Sequence, residues 1–469
     1  MKNHIRSHPD FQRRRLLRMG VAGAGILLLP GCPGGCGRRE VPPAEGVAGS
    51  HTPHGVVVSF TDDAETTRTV TWITDGAEDP DSTLEFDSGT AGLEAPFEGS
   101  TRGSASRIYG VESFAHRAKM TGLDPKLPIR YRVGSDAGWS PVRVLAPASS
   151  GAFRFCSFGD HGMTPFSRAN VAQVVERNPQ FFLLVGDLSY AGSRQELWNP
   201  YFDQLEPLSA NVPVMMAPGN HEEEGNGGLA YKSRVTHPGA GTYYSFEYEN
   251  VHFLVCSTGC LADDGALKKE LEFMEADLAE ASARRAAAKI DFVAVVQHYT
   301  TWSDERFRRP NNPTLVRLEE DMLVRYGVDL LINGHDHGYQ RSVPFAYGVP
   351  DATGYVQVAT GVGGAPLRRF GGRQQWSAKQ SLHYGFTEYE VNGPRIRVTA
   401  WKIGSKGGEI LAKPEIVDRF EVKARGPVAS AEFVRPIVAP AVRLADFESV
   451  LRHTLARNRA HLRGEPLVA

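Results

Sequence analysis

Cysteine is scarce in this sequence, five in 469 residues, which excludes a fold stapled together by disulfides. A surplus of charge of either sign is also missing. Lys plus Arg is 52 and Asp plus Glu is 54, a formal net charge of −2. Nucleic acid is therefore not expected as a partner, since its general binders present a basic excess. No apolar run reaches the about 18 residues that a membrane-spanning helix needs. Punctuation is plentiful instead: Gly 49 and Pro 30 point to many turns and long loops. With 41% apolar and 23% charged residues, the chain has the side chains for a packed core. Its length suggests two or three domains of about 150 residues each.

Residues 1–50 read as a leader and tether rather than as part of the fold. Arg13, Arg14, Arg15 and Arg18 precede an apolar run from Met19 to Pro30, the length of a signal h-region. The stretch Gln12 to Arg18 resembles a twin-arginine signal with the pair at Arg13-Arg14, and such signals serve the export of folded proteins, often with metals already loaded. Leu29-Pro30-Gly31-Cys32 resembles a bacterial lipobox, in which a lipidated Cys32 would tether the protein to a membrane. Pro30 departs from the usual residue at that place, and a plain signal cleaved nearby is the alternative. The Gly- and Pro-rich residues 33–50 read as a flexible linker. The expected location is outside a bacterial cytoplasm: periplasmic, extracellular or lipid-anchored at the cell surface.

Residues 51–148 carry a pattern of short strands. Val56 to Phe60 and Thr69 to Thr74 are β-branched and alternating. Residues 83–87, 112–120, 129–134 and 142–146 read similarly, and no helical period is present. About seven strands in about 90 residues predict an all-β, two-sheet sandwich. Leu123-Asp124-Pro125 followed by Tyr131-Arg132-Val133-Gly134 resembles the late-strand signature of fibronectin-type-III-like domains. Ile129 stands where that signature has its corner tyrosine, so that corner hydrogen bond is not expected.

Residues 149–425 change texture. Strands at 153–158, 180–185, 212–217, 290–296 and 328–332 alternate with helices at about 166–177, 196–208, 264–284 and 314–326. A hairpin is expected at 243–256 and further short strands at 354–422. The alternation predicts an α/β layered domain, β sheets flanked by helices. Cys156 and Cys256 fall in apolar strands and read as buried small hydrophobes, and whether Cys256 pairs with Cys260 stays open. In residues 426–469, Val442 to Leu462 reads as a terminal packing helix.

Polar clusters follow the C-terminal ends of the predicted strands in five places. They are Gly159-Asp160-His161-Gly162, Gly186-Asp187-Leu188-Ser189-Tyr190, Gly219-Asn220-His221-Glu222, Val295-Val296-Gln297-His298 and Gly334-His335-Asp336-His337. One Gly-Asp alone would read as a turn. Five such segments put carboxylates, an amide, a phenol and imidazoles where open α/β sheets place their chemistry. These are hard or borderline ligands suited to iron, zinc or manganese, and the lack of a Cys pair argues against a structural zinc knuckle. Two cations about 3.5–4 Å apart would need a shared anionic ligand, and a carboxylate is the natural bridge.

The five segments resemble those of the metallophosphoesterase superfamily and, within it, the purple acid phosphatases. The wider superfamily has Asp-x-His first and Gly-Asp-x-x-Asp second; here Gly162 and Tyr190 stand at the divergent positions, as in the purple acid phosphatases. The resemblance takes in the sandwich as well. It implies a ferric ion on Asp160, Asp187, Tyr190 and His337. Asp187 would bridge to a divalent iron, zinc or manganese ion, held also by Asn220, His298 and His335. A Tyr190 phenolate on Fe(III) would give a violet charge-transfer band. The implied activity is that of an acid phosphatase: attack of a metal-bound hydroxide on small phosphate monoesters, with His221 assisting the leaving group. Glu222 is expected to orient His221 by a hydrogen bond.

Larger plant-type members carry further histidines between the fourth and fifth segments; between Tyr299 and Gly334 this chain has none. Arg306, Arg308 and Arg309 could contact the substrate phosphate instead, or form a solvated basic loop. His161 is a further candidate for a substrate contact, or else a bystander facing solvent. Two other functions fit the same residues less fully: a phosphodiesterase of the same superfamily, and a non-catalytic cell-surface binding protein.

Overall fold

The computed structural model describes residues 51–425, apart from 77–80, 90, 149–150, 225–226, 240, 259–263, 307 and 309–311. The leader, Cys32, Arg309, Cys260 and the expected terminal helix lie outside the described residues.

The N-terminal β-rich domain is two antiparallel sheets. One joins His54–Ser59, Arg68–Asp75, Ser113–Met120 and Ser104–Arg107; the other joins Gly99–Arg102, Thr83–Ser88, Ile129–Ser135 and Gly138–Trp139, with Arg143–Leu145 also on Ile129–Ser135. Alternate residues fill the space between them, among them Val56, Val58, Val70, Trp72, Leu84, Ile129, Tyr131 and Val133. The strands missing from the expectation, Gly99–Arg102 and Ser104–Arg107, consist of Gly, Ser, Thr, Ala and Arg. They lie at sheet edges and need no apolar alternation.

The helix Trp198–Ser209 ties this domain to the next. It approaches the His54–Ser59 strand, where Ser209 Oγ donates to the Val56 carbonyl at 2.6 Å. Arg143 pairs with its Glu206 at 2.7 Å, and His54 Nδ1 lies 2.6 Å from its Asp203. Tyr131 donates its buried hydroxyl to the carbonyl of Ala210, the residue that ends this helix, at 2.6 Å. Ile129, at the corner position, is buried in the sandwich core.

The second domain stacks two sheets between helices. The first runs Val214–Ala217, Phe181–Val185, Ala152–Phe158, Tyr384–Asn392, Arg395–Gly404 and Ile410–Lys423, its first three strands parallel. The second runs Tyr244–Tyr248, Val251–Cys256, Phe292–Gln297, Leu330–Asn333, Val356–Thr360, Tyr339–Ser342 and Ser377–Ser381, parallel from Val251–Cys256 to Val356–Thr360. Strands covered on both faces read as unbroken apolar runs, and Phe181–Val185 is such a run. Phe181, Leu183 and Val185 pack between the sheets with Phe253, Val255 and Val296. Phe182 and Leu184 turn outward, with Cys156 and Phe158, onto Val171, Val174 and Leu205 of helices Pro165–Arg177 and Trp198–Ser209. Cys256, Val293 and Val295 meet Met274 and Leu278 of helix Asp264–Ala286 on the opposite side.

Two details depart from the sequence reading. The helix expected at 314–326 is divided into Pro313–Leu318 and Glu320–Arg325. Glu319 at the break is buried and accepts a hydrogen bond from Gln297 Nε2 at 3.1 Å, so its side chain serves the strand end next to His298. The last three strands are long rather than short, 9, 10 and 14 residues.

Candidate metal centre

The parallel strands of both sheets end on one side, and several of them end at a glycine in a turn too tight for a side chain. A Cβ on Gly219 would stand 2.3 Å from Asp187 Oδ1, and one on Gly334 would stand 2.4 Å from the Val185 carbonyl and 2.8 Å from His298 Nδ1. The polar residues beside these glycines carry the cost of the turns. Asp160, Asp187, Tyr190 and His335 have φ of 56°, 52°, 55° and 67°, the left-handed region that costs a residue with a Cβ about 1–2 kcal/mol. Backbone strain gathered in this way is a mark of functional sites.

The turns bring side chains from four of the five segments together in two groups that share Asp187. Asp160, Asp187 and His337 form one; Asp187, His298 and His335 form the other, each with donor atoms within 4.8 Å of one another. Tyr190 Oη belongs with the first, 3.0 Å from Asp160 Oδ1, 3.4 Å from Asp187 Oδ2 and 3.2 Å from His337 Nε2. In the second, His298 Nε2 lies 3.2 Å from Asp187 Oδ2 and 3.3 Å from His335 Nδ1. Asn220 Oδ1 is buried without a hydrogen-bond partner among the described residues.

The chemistry of these donors suits cations. His298 Nδ1 is bonded to the Val185 carbonyl and His337 Nδ1 to the Pro366 carbonyl, both at 2.8 Å. A carbonyl only accepts, so each Nδ1 carries the proton and each neutral ring turns its Nε2 lone pair into the site. Without a cation, these lone pairs and carboxylates can only share protons. Burial would raise the Asp160 carboxyl, but the His337 and His298 rings hold it down to about 2. Burial disfavours charge on His298, yet Asp187 and Asp160 raise it to about 9. Burial and the two carboxylates push the Tyr190 phenol well above its ordinary range, so a phenolate there needs a cation's field.

The surrounding shell is only partly as expected. His221 lies against the Tyr190 ring, centroids 4.5 Å apart, and its backbone N–H donates to Asp187 Oδ1 at 2.9 Å. Its Nδ1 is 3.0 Å from Glu224, not Glu222. Glu222 instead accepts backbone N–H bonds from Gly219 at 2.6 Å, Asp187 at 2.8 Å and Leu188 at 2.9 Å, locking the second segment to the third. Glu222 therefore shapes the Asp187 turn, and the expectation that it orients His221 is corrected. Burial and the Asp187 charge push its carboxyl up to about 7.

His161 is corrected too. It is fully buried beside Phe158, its ring nitrogens 3.1 Å from Tyr201 Oη and from the Ser167 carbonyl. It neither faces solvent nor reaches a substrate, and burial lowers its pKa to about 4. Arg308 is a brace rather than part of a solvated loop: its Nε is 2.8 Å from Asp336 and it donates to the His335 carbonyl at 2.9 Å. Asp336 also accepts from Ser303 and Thr300. Arg306 is exposed on the neighbouring loop. Sequence reasoning missed Glu305, which accepts the His337 backbone N–H at 3.1 Å, and Arg368, whose backbone N–H donates to the His337 carbonyl at 2.9 Å.

Comparison with known proteins agrees with this geometry. The calcineurin-like phosphoesterase family matches residues 153–339, and the purple acid phosphatase N-terminal domain matches residues 53–145. The chain is 28% identical over 295 residues to purple acid phosphatase 21 of Arabidopsis thaliana, spanning 60% of this chain and 65% of that protein. It is 24% identical over 368 residues to purple acid phosphatase 18 of the same plant, 75% of this chain and 81% of that one. Acid phosphatase type 7 of Mus musculus is 27% identical over 413 residues, 79% and 91% of the two chains. The fold is shared with the solved purple acid phosphatase PPD1 of yellow lupin (Lupinus luteus) seeds, at a TM-score of 0.68 and 19% identity over 80% of this chain and 74% of that one.

Proposed function

We propose that this chain, a calcineurin-like phosphoesterase with a purple acid phosphatase N-terminal domain, hydrolyses small phosphate monoesters at a two-metal centre. The observation that carries the reading is the pair of donor groups sharing Asp187. Asp160, Asp187, Tyr190 and His337 would hold a ferric ion, and Asp187, Asn220, His298 and His335 a divalent iron, zinc or manganese ion. When bound, such ions polarise phosphoryl oxygens and acidify water.

The protein supplies the rest. Asp187, fixed by Glu222 and by the His221 N–H, keeps the two cation positions adjacent. His298 and His337 keep their lone pairs aimed inward through the Val185 and Pro366 carbonyls. His221 is the proposed proton donor to the leaving alkoxide. Burial works against its charge, but the Glu224 hydrogen bond and the Asp187 and Glu222 charges hold its proton above the ordinary range. With Nδ1 on Glu224, its Nε2, 3.8 Å from Asp187 Oδ2, is the nitrogen that faces the centre.

The test is elemental analysis with a visible spectrum and turnover of an aryl monoester against the matching diester. Two ions per chain, a violet band lost in Tyr190→Phe, monoester preference, and loss of turnover in Asp187→Asn are expected. A preference for the diester would replace the substrate class, and a protein that takes up no metal would leave a binding role. Export through the twin-arginine-like leader, free or tethered by Cys32, belongs to the same proposal. Lys at both Arg13 and Arg14 should strand the protein in the cytoplasm, and Cys32→Ser should abolish any lipid labelling.

A further inference from the structure

Two loops far apart in sequence are sewn together beside the His335–His337 turn. Glu305 and Phe370 form an antiparallel bridge, Arg306 N–H donates to the Arg369 carbonyl at 2.9 Å, and Gly371 N–H donates to the Asp304 carbonyl at 2.8 Å. The approach is so close that a Cβ on Gly371 would lie 2.8 Å from Arg306 Cα. Both loops also bond to the turn itself. Arg308 donates to the His335 carbonyl, Glu305 accepts from the His337 N–H, and Arg368 N–H donates to the His337 carbonyl.

The seam sorts its charges by depth. The acids lie beneath it: Asp304, Glu305 and Asp336 are 5%, 4% and 1% exposed. Asp304 is engaged by Gln374 and Gln380, and Asp336 by Arg308. The cations lie on top. Arg306, Arg368 and Arg369 are exposed, and Arg368 meets Glu305 only at 3.5 Å. Arg308 reaches the His335 carbonyl at 2.9 Å, and Arg368 meets the Glu305 carboxylate that itself accepts the His337 N–H. A basic edge therefore borders the metal centre on its His335–His337 side.

The two cations of the centre suffice for the phosphoryl group being cleaved, so guanidinium groups at its border suit a further anion. We infer that the edge formed by Arg306, Arg368 and Arg369 binds a second phosphate of the substrate, making monoesters that carry two phosphate groups preferred over those that carry one. The inference rests on the phosphatase reading for the reaction; the edge itself does not depend on turnover.

The experiment compares fructose 1,6-bisphosphate with fructose 6-phosphate on the full-length, metal-loaded protein, by phosphate release. Exposed arginines on phosphate imply a kcat/KM ratio of about tenfold in favour of the bisphosphate, weakening with added salt. In Arg306→Gln with Arg369→Gln, and separately in Arg368→Gln, the ratio should fall severalfold, mostly through KM. Equal kcat/KM for the two sugars, or a ratio untouched by these variants, overturns the inference. If neither sugar is hydrolysed, the phosphatase reading fails, and equilibrium dialysis of the labelled bisphosphate decides the edge separately. Retention by the wild type and its loss in the double variant support it; no retention overturns it.

Discussion

Glu222 offers the sharpest test of how the centre is built, because it touches no candidate metal position and yet joins two of the five segments. Its carboxylate receives three backbone N–H groups, from Gly219, Asp187 and Leu188, and it is fully buried. Hydrogen bonds to a charged group contribute about 1.5–3 kcal/mol each, a range that applies above pH about 7, where this carboxyl ionises. Glu222→Ala orphans all three donors. Their energies are not additive within one network, and water can enter the space, so the expected loss is about 3–5 kcal/mol. For a protein of this size that lowers Tm by about 4–6 °C. Glu222→Gln keeps one acceptor oxygen but sets an NH2 group against backbone donors, so it should fall between Ala and wild type. Because the same bonds hold Asp187 in its left-handed turn, metal affinity should drop about 10–100-fold. Differential scanning calorimetry and metal titration would be run side by side on the three proteins. Should Glu222→Ala melt within about 1 °C of wild type and bind both ions as tightly, the joining of the segments through this carboxylate would be refuted.

Three further perturbations follow from named contacts. Gly219→Ala places a Cβ 2.3 Å from Asp187 Oδ1 and should displace the shared carboxylate, so elemental analysis should find the protein depleted of both ions while circular dichroism stays native. Tyr131→Phe leaves the Ala210 carbonyl without its donor and should cost about 1–3 kcal/mol in urea unfolding; no change would remove this bond as a tie between the domains. His252 lies 2.7 Å from Asp277 and 3.5 Å from Glu247; burial opposes its charge, but these carboxylates raise its pKa to about 9. A folded pKa above the unfolded value of about 6.5 stabilises the fold fully below pH about 6.5, and the gain fades as pH rises toward 9. His252→Gln should therefore cost up to about 3 kcal/mol at pH 6 and little at pH 9.5.

The residues of the centre were legible because of where they fall. Glycine followed by Asp, Asn or His after an apolar run such as Phe181–Val185 marks a strand end in four places, and His298 follows a fifth apolar run directly after Gln297; these five ends were enough to assemble the candidate groups. The contacts around them were harder to read, because neighbours in a turn point in different directions. His161 follows Asp160 directly but turns under helix Pro165–Arg177 to Ser167 and toward Tyr201. In the short helical turn Asn220–Glu223, Glu222 points inward to the Asp187 turn, while Glu224, three residues after His221, lies on the histidine's side. The i, i+3 spacing was the signal that could have named it. Glu305 and Arg368 are 63 residues apart in sequence and meet only through the seam of two loops, which no local pattern encodes.

The centre is costly to hold empty. Four of its residues sit at positive φ, at about 1–2 kcal/mol each. Two buried carboxylates are offset only by protons on the His298 and His337 rings, beside a phenol that the same field keeps protonated. Asn220 Oδ1 has no hydrogen-bond partner among the described residues. Glu222 and the Val185 and Pro366 carbonyls hold this arrangement in place without relieving it, since each fixes a ligand's position and none neutralises its charge. Cations would relieve nearly every one of these costs at once: they would compensate the carboxylates, take up the lone pairs and the amide oxygen, and make the Tyr190 phenolate affordable. Metal loading should therefore stabilise the fold strongly, by the free energy of binding itself. Folding and metal uptake then favour a single event, and a chain built this way gains from being exported after that event, as the twin-arginine-like leader proposed above would allow.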